Sequence, residues 1–261
     1  MAEDRGLLRV EHVMGTAISV HLTDPLPFTT RERLIEEVFD WLRLVDERFS
    51  TYRPDSEVCR LQRGELRPED GSESLRYVLD TCARLWQETD GYFDAQATGR
   101  LDPSGFVKGW SVQVASDRLV AAGSVNHCVN AGGDVRVRGE RAPGRPWRVG
   151  IRHPFEAQQV CRVLAGTDLA VATSGIYERG YHVVDPYTGR LAGELVSVTV
   201  VGTDLGTADA YATAALAMGE AGLHWLDRLD GYESLVVTAD GRLFRSAGLP
   251  DAGGDPDETL G

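Results

Sequence analysis

The chain has 261 residues, of which 42% are hydrophobic and 26% charged, the balance of an ordinary globular protein that is long enough to bury a full core. Its formal net charge of -13 argues against nucleic acid or an anionic membrane surface as the partner, because either would be repelled. A small anionic ligand would therefore need a local positive group that compensates its negative charge, such as a metal ion or a helix N-terminus.

The cysteines and the N-terminus indicate a reducing compartment. The cysteines are scattered, without the paired spacing of a disulfide framework or a zinc site, so free buried thiols are expected. The sequence from Met1 leads into patterned segments without the apolar core of a signal peptide, and no run approaches the length of a membrane span. We therefore expect a cytoplasmic protein without a membrane span. The four cysteines are Cys59, Cys82, Cys128 and Cys161.

The first part of the chain predicts a strand pair followed by helices. Apolar and polar residues alternate from residue 7 to residue 23 in two halves around Met14-Gly15-Thr16, which predicts two strands. Thr29 or Thr30 is expected to cap the first helix. An apolar stripe then repeats at helical spacing in each of the following segments. The helices are expected at about 31–48, 58–61 and 74–88.

The rest of the chain predicts a sheet with a few helices between its strands. Residues 91–109 are loop-like, and helices are expected at about 107–122, 208–218 and 220–227. Strands are expected at 126–129, 135–138, 147–151, 161–164, 169–173, 196–202, 234–238 and 243–245. The sum is an α+β fold, a mostly antiparallel sheet with helices packed to one side. We expect one domain over residues 1–248 and a disordered acidic tail over 249–261.

The helix predicted at 208–218 carries two oxygen-bearing side chains one turn apart. This segment is rich in alanine and free of glycine and proline, which favours a helix, and Asp209 and Thr213 then share one face. A carboxylate and a hydroxyl presented together can hold a hard cation such as Mg²⁺, which prefers oxygen ligands. The alternative is that Asp209 complements the positive N-terminal end of the helix while Thr213 packs.

Two glycine-containing segments are further candidates. The pair Gly132-Gly133 lets backbone amides approach a ligand closely, or it simply makes a bulge. Gly105 and Lys108, at a helix start, combine free amides with an ammonium group that suits a phosphate. A solvated surface lysine is the alternative for Lys108.

One histidine lies close to the predicted anion site in the sequence. His182 precedes a turn fixed by Pro186 and Gly189, and it could orient or deprotonate a hydroxyl nucleophile. The alternative is a histidine satisfied by a backbone carbonyl. Ser174-Gly175 lacks the G-x-S-x-G frame of a nucleophile elbow, so a serine hydrolase is not indicated.

Nine short segments occur in a fixed order between residues 7 and 245. They are Met14-Gly-Thr16, Ser50-Thr-Tyr52-Arg-Pro-Asp-Ser56-Glu57, Gly91-Tyr-Phe93-Asp94, Asp102…Gly105…Lys108-Gly109, Asn130-Ala-Gly132-Gly133-Asp134, Trp147-Arg-Val-Gly-Ile151, Ala172-Thr-Ser174-Gly175, His182-Val-Val-Asp185-Pro186 and Asp209-Ala-Tyr-Ala-Thr213-Ala214. In this order they resemble the ApbE family, the FAD:protein FMN transferases. The resemblance covers nearly the whole chain.

The resemblance implies a fold of the flavin-transferase type, with FAD in a cleft and Mg²⁺ on its diphosphate. The family moves the FMN portion of FAD onto a Thr or Ser hydroxyl of an acceptor protein, in a motif like D-x-x-[ST]-G-A-[ST], and releases AMP. An acceptor protein is therefore the implied partner, with no role for nucleic acid.

The resemblance also implies roles for individual residues. The implied metal ligands are the side chains of Asp209 and Thr213 and the backbone carbonyls of Gly105 and Ala212. His182 matches the family histidine near the transferred phosphate and is the implied catalytic residue. The implied FAD contacts are Met14, Tyr52, Glu57, Asp94, Asp102, Lys108, Asn130, Gly132, Gly133, Asp134, Ser174 and Gly175.

Three other functions remain open from the sequence. Only seven residues separate Asp94 from Asp102 where the family carries a longer segment, and a shortened loop would admit water for hydrolysis of FAD to FMN and AMP. A non-catalytic FAD-binding or storage protein is the second alternative, although tight binding alone requires no group that activates a nucleophile. The third is a globular α+β domain with no flavin role.

Overall fold

An eight-stranded sheet organises the molecule. The structure is a computed structural model that describes residues 6–156, 158–175 and 183–252. Across them the chain forms the strands β1 (Leu7–Val13), β2 (Thr16–Leu22), β3 (His127–Ala131), β4 (Asp134–Arg138), β5 (Glu140–Ala142), β6 (Arg145–Arg152), β7 (Val160–Gly166), β8 (Asp168–Gly175), β9 (Leu195–Gly202), β10 (Glu233–Thr238) and β11 (Leu243–Arg245). The large sheet has the order β1-β2-β3-β4-β8-β9-β10-β11, and all of its neighbouring strands are antiparallel. A small second sheet has the order β5-β6-β7.

The first hairpin follows from two residues with positive φ. Val13 pairs with Thr16, so the turn consists of Met14 and Gly15 alone, with φ angles of 53° and 72°. A two-residue turn with both φ angles positive matches the right-handed twist of the strands that it joins. The strand pair predicted around Met14-Gly15-Thr16 is therefore confirmed, and it holds Met14 at the tip of the hairpin.

The helices follow the apolar stripes of the sequence. They are α1 (Phe28–Phe49), α2 (Glu57–Gln62), α3 (Glu73–Glu88), α4 (Ser104–Ala121), α5 (Leu205–Met218) and α6 (Ala221–Leu226), with a short 3₁₀ turn at Pro68–Asp70. The cap predicted at Thr29 or Thr30 is wrong, because α1 already begins at Phe28, after Pro27, without a side-chain capping bond. A proline before the first helical residue costs no internal hydrogen bond, so the chain can enter the helix there.

Helix α4 begins three residues earlier than the sequence predicts. Pro103 immediately precedes the helix, and Asp102 Oδ1 accepts a hydrogen bond of 3.0 Å from the backbone N–H of Ser104. Side-chain acceptors satisfy free amides at the start of a helix. Gly105 and Lys108 therefore lie in the first turns of a helix and not in a loop.

Two cores lie on the two faces of the large sheet. Along β8, Ala170 and Ala172 face the core that holds α1, α3, α4 and α5, whereas Leu169 and Val171 face the core beneath the small sheet. This alternation is the two-residue period of a strand that is covered on both faces. The α+β class and the helices on one side are confirmed. The small sheet on the opposite face is an additional layer, and Trp147 of β6 contributes its buried side chain.

Helices α4 and α5 approach each other through small residues. A Cβ atom on Gly109 of α4 would lie 2.4 Å from the carbonyl oxygen of Leu205 and 2.8 Å from Cβ of Asp209. Close backbone contact at glycine and alanine lets two helices pack with little space between them. The alanines at 208, 210, 212, 214 and 215 of α5 are all fully buried. This packing brings the start of α4 against the second turn of α5.

The residues before the C-terminus join the folded unit. Ala165 N–H donates 2.9 Å to the carbonyl of Pro250, Ala252 N–H donates 2.8 Å to the carbonyl of Val163, and Leu249 is buried. The first residues of the tail predicted at 249–261 are thus paired with β7, and the later ones lie outside the described residues. The cysteines 59, 82, 128 and 161 are free. Within the described ranges, we find no helix with both the length and the apolar character that crossing a membrane requires.

Candidate functional site

Asp209 lies almost completely buried between α4 and α5. Its side chain is 2% exposed, and its Oδ2 atom accepts a hydrogen bond of 3.0 Å from the backbone N–H of Gly109. The N-terminus of α5 is capped by another residue, since Asp204 Oδ1 accepts from the N–H of Thr207 at 2.8 Å. Asp204, and not Asp209, is therefore the N-cap of α5.

Two more charged groups meet Asp209. Nζ of Lys108 lies 2.5 Å from Oδ2 of Asp134, whose side chain is fully buried, and the carboxyl group of Asp134 is within hydrogen-bonding reach of Asp209. Burial raises the pKa of Asp209 well above its usual range, and the charge of Asp134 raises it further, while Lys108 opposes the shift. Two buried carboxyl groups share one ammonium, so the cluster has an uncompensated negative charge when both are ionised.

Thr213 lies one turn beyond Asp209 on α5. Its hydroxyl group is 3.2 Å from the hydroxyl of Ser174, at the end of β8. A Cβ atom on Gly105 would lie 3.0 Å from Oγ1 of Thr213, so the first turn of α4 approaches this hydroxyl closely. The sequence prediction that Asp209 and Thr213 share one helix face agrees with this geometry.

The donor set around α5 fits a hard divalent cation. Asp209 offers a carboxyl group, Thr213 offers a hydroxyl, and the glycine at 105 lets the start of α4 approach that hydroxyl closely. Oxygen ligands of this kind suit Mg²⁺. Among the described residues there is no group of three or more His, Cys, Asp or Glu side chains that could hold a metal, so a cation here would depend on hydroxyl, carbonyl and ligand oxygens.

Three cavities surround this cluster. The methionine cavity is lined by Met14, Tyr52, Asp102 and Lys108, among others. The threonine cavity is lined by Asp94, Asp102, Gly105 and Thr213, among others. The arginine cavity is lined by Asn130, Gly132, Gly133, Arg148 and Arg152, among others.

The three cavities adjoin one another. The methionine and threonine cavities share Asp102 and Ser104, and the methionine and arginine cavities share Gly15 and Lys108. They form one extended cleft along the start of α4. An elongated ligand with a charged centre can lie in such a cleft, with its centre beside the oxygen donors.

The Gly132-Gly133 segment is a hairpin turn. Ala131 of β3 pairs with Asp134 of β4, the two glycines have φ angles of 59° and 99°, and Gly133 N–H donates 3.1 Å to Oδ1 of Asn130. The two glycines therefore form a tight turn between β3 and β4 and not a bulge within a strand. A Cβ atom on Gly132 would lie 2.6 Å from Oγ1 of Thr16, so this turn packs directly against the start of β2.

Most of the residues implied as FAD contacts line the cleft, but several do not. Glu57 is held away from it, since its two carboxylate oxygens accept from the N–H and hydroxyl of Ser72 at 3.2 and 2.6 Å, at the start of α3. Asp134 lies behind the cleft, buried beneath Lys108. Ser174 contacts Thr213 and is not among the lining residues of these three cavities. Cleft-lining residues are Met14, Tyr52, Asp94, Asp102, Gly105, Lys108, Asn130, Gly132, Gly133 and Thr213.

The remaining predicted residues are buried or not described. Ala212 is fully buried in α5, and Gly175 ends β8, away from the three cavity linings. His182 lies outside the described residues. Tyr52, by contrast, is 95% exposed at the rim of the methionine cavity, which leaves its ring free to cover a planar ligand.

Sequence reasoning missed the arginines of the cleft. Arg148 and Arg152 are exposed on β6 and alternate with the buried Trp147, Val149 and Ile151. This two-residue pattern was visible in the sequence and predicts that both arginines share the outward face of one strand. The contact between Asp134 and Asp209 had no sequence signal, because it joins β4 to α5.

Comparison with known proteins gives a consistent result. The sequence model of the ApbE family matches residues 14–99 and 95–236. The FAD:protein FMN transferase of Vibrio cholerae serotype O1 is 28% identical over 266 residues, which cover 79% of this chain and 80% of that protein. The FAD:protein FMN transferase of Escherichia coli K12 is 24% identical over 276 residues, covering 82% and 79%.

Solved structures share the fold. The flavin transferase ApbE from Vibrio cholerae aligns with a TM-score of 0.79 at 26% identity, covering 92% of this chain and 97% of that one. The apo form of the flavinyl transferase ApbE from Pseudomonas stutzeri aligns with a TM-score of 0.82 at 24% identity, covering 95% and 98%, which supports the fold alone.

Proposed function

The chain belongs to the ApbE family, and from this premise we propose that it is an Mg²⁺-dependent FAD:protein FMN transferase. Its substrates are FAD and the Thr or Ser hydroxyl group of an acceptor protein. The products are an FMN phosphoester on the acceptor and free AMP. The relatives named above are transferases, which supports this reaction class for the chain.

The observation that carries the proposal is the position of Asp209. A buried carboxyl group lies one turn from Thr213, which lines the threonine cavity together with Gly105. We propose that Asp209, Thr213 and the backbone carbonyls of Gly105 and Ala212 hold the Mg²⁺ ion. When bound, the ion supplies charge neutralisation on the diphosphate oxygens of FAD.

The chain's own groups then orient the reaction. The N–H of Gly109 fixes the carboxylate of Asp209, and Lys108 presents an ammonium group where the methionine and arginine cavities meet. In the proposed step the acceptor oxygen forms a bond to the FMN phosphorus while the bond from that phosphorus to the bridging oxygen breaks. The bridging oxygen keeps the electron pair and leaves with AMP.

A hydroxyl nucleophile also has to lose its proton. A threonine hydroxyl is a poor nucleophile near neutral pH, and a positioned general base typically contributes ~10²–10⁴-fold. On the resemblance alone we propose His182 as this base, taking the proton of the acceptor hydroxyl. A His182→Gln variant would then bind FAD and metal as the unmodified protein does, with transfer lowered by about that factor.

The test is a transfer assay read by intact mass. The purified protein is incubated with FAD, Mg²⁺ and a protein domain that bears a D-x-x-[ST]-G-A-[ST] segment. A mass gain equal to one FMN phosphoester on the domain, abolished by EDTA, supports the transferase. AMP and free FMN without a labelled domain would favour a pyrophosphatase, and bound but unchanged FAD would favour a binding protein.

A further inference from the structure

The β5–β6 hairpin has a local charge opposite to that of the whole chain. Residues 140–152 contain four arginines and one glutamate, although the chain has 40 acidic and 27 basic residues. All four arginines are exposed, and within the described residues none of their guanidinium groups has an ion pair or a hydrogen bond. The four are Arg141, Arg145, Arg148 and Arg152.

Arginines elsewhere on the surface are mostly paired. Arg43 contacts Glu11, Glu36 and Asp40, and Arg242 contacts Glu220 and Asp240. In a chain with an excess of carboxylates, such pairing is the default for a surface guanidinium. A group of unpaired arginines is therefore a distinct feature of this hairpin.

Two of these arginines line the arginine cavity. Arg148 and Arg152 lie on the outward face of β6 and border a cavity of about 640 Å³. No aspartate or glutamate lines this cavity among the described residues, whereas Asp46 and Asp102 line the methionine cavity and Asp94 and Asp102 line the threonine cavity. The arginine cavity thus has the charge of an anion-binding site.

FAD itself offers no second anion for this cavity. Its diphosphate is its one strongly acidic group, and the proposed function assigns that group to the metal held by Asp209 and Thr213. Of these ligands and Gly105, none lines the arginine cavity. The anion for Arg148 and Arg152 must then come from the other substrate.

We propose that Arg148 and Arg152 form the docking site for an acidic segment of the acceptor protein. This inference rests on the proposed function, since it identifies the second substrate by its charge. A guanidinium group binds a carboxylate through two parallel hydrogen bonds, which gives orientation as well as affinity. The acceptor's aspartate or glutamate side chains supply those carboxylates.

The cleft allows a docked segment to reach the reacting group. The arginine cavity shares Gly15 and Lys108 with the methionine cavity, which in turn shares Asp102 and Ser104 with the threonine cavity. An extended peptide spans about 3.3 Å per residue, so a few residues bridge one cavity to the next. Docking at the arginines therefore holds the acceptor while its hydroxyl enters the cleft.

The test measures peptide binding separately from flavin binding. The probe is a fluorescent peptide with a central threonine flanked by aspartates, and its counterpart has asparagine at every aspartate. Binding of both to the FAD-loaded protein is followed by anisotropy, and the FAD dissociation constant is measured independently. The variant is Arg148→Gln with Arg152→Gln. The matched control is Arg141→Gln with Arg145→Gln, which removes the same charge from the same hairpin outside the cavity lining.

We expect the R148Q/R152Q protein to bind the aspartate peptide about tenfold more weakly, given the usual strength of charge-assisted hydrogen bonds at exposed sites. Its FAD affinity and thermal midpoint should stay those of the unmodified protein, and the control should bind the peptide normally. Equal binding of both peptides, or unchanged binding by R148Q/R152Q, would overturn the proposal. Loss of FAD affinity in R148Q/R152Q with unchanged peptide binding would assign the arginines to the flavin instead.

The proposed function fails in a different way. If no acceptor gains an FMN phosphoester while the aspartate peptide still requires Arg148 and Arg152, the docking site remains and the transfer reaction is wrong. If transfer occurs but the R148Q/R152Q protein keeps the acceptor KM of the unmodified protein, the reaction remains and the docking site is wrong.

Discussion

Nζ of Lys108 lies 2.5 Å from Oδ2 of Asp134. The buried carboxylate thereby holds the lysine side chain where the methionine cavity and the arginine cavity meet. The lysine side chain is 15% exposed and the aspartate side chain is fully buried, so solvent screens this pair weakly. The same aspartate raises the pKa of Asp209. Lys108 therefore supports the proposed metal ligand through Asp134.

The stability losses from removing Lys108 and Asp134 should not be additive. Lys108→Met leaves two buried carboxyl groups without their cation, whereas Asp134→Asn leaves Lys108 with Asp209 as its remaining carboxyl neighbour. We expect Lys108→Met to cost about 3 kcal/mol, because it leaves an uncompensated buried charge, and Asp134→Asn to cost less. The double variant should cost clearly less than the sum of the two, as measured by urea unfolding. Additive losses would show that the two groups do not interact.

Metal binding should depend on Asp209 and should strengthen as pH rises. The pKa of Asp209 is raised, so its carboxyl group holds a proton to higher pH than usual and must release it to bind a cation. We expect Mn²⁺ affinity, measured by calorimetry, to increase with pH across that titration. Asp209→Asn should abolish this dependence and lower transfer by about 10²-fold or more. The exposed Asp80→Asn is the control, and full activity in Asp209→Asn would contradict the metal assignment.

Gly109→Ala should push α4 and α5 apart. The added Cβ atom would lie 2.4 Å from the carbonyl oxygen of Leu205, which is backbone and cannot move aside cheaply. Overpacking of this kind costs about 1–3 kcal/mol. The shift should also weaken metal binding, since Gly109 N–H holds Asp209. Gly150→Ala is the control for stability, because its Cβ would meet side-chain carbons of Val160 at 3.4 Å, an ordinary contact.

The buried His127 should make stability depend on pH. Its Nδ1 lies 3.0 Å from the carbonyl of Ser124 and its Nε2 2.8 Å from the hydroxyl of Ser116, so the neutral ring donates from Nδ1 and accepts at Nε2. Burial lowers the pKa of His127 to about 4. Between about pH 4 and 6.5 the unfolded chain therefore binds a proton that the folded protein does not, and stability falls as pH falls through this window.

The comparison with His127→Gln isolates this contribution from that of the carboxylates. We expect the free energy of unfolding of the unmodified protein to drop by about 3 kcal/mol more than that of the variant between pH 6.5 and pH 4. Urea unfolding at a series of pH values measures both. Parallel pH profiles would mean that His127 already carries its proton in the folded state.

Local patterns in the sequence were enough to predict most of the fold. The alternation on both sides of Met14-Gly15 predicts β1 and β2, and the alanine-rich segment before Met218 predicts α5, because each pattern has one period and clear ends. The start of α4 lies earlier than the pattern predicts, because the loop-like residues around Pro103 lead directly into the helix, which begins at the next residue. The small sheet was not predicted, because alternation does not tell which sheet a strand joins.

The candidate site was predictable only in part. Asp209 and Thr213 lie on one helix, so their spacing is enough to place them together. Lys108 and Asp134 lie on two other elements, and no local pattern tells that the three charged groups meet. Glu57 belongs to a segment that matches the family, and in the structure its carboxylate binds Ser72 at the start of α3, a contact that no local pattern indicates.

The bond between Gly109 and Asp209 joins positions that are 100 residues apart. During synthesis the ribosome therefore releases Lys108 and Asp134 long before the helix that completes the cluster. Contacts of such large separation in sequence form late and slowly, after the intervening chain has closed its loop. A nascent chain that ends before α5 lacks Asp209 and Thr213, so the proposed metal site can be complete only when most of the polypeptide has been made.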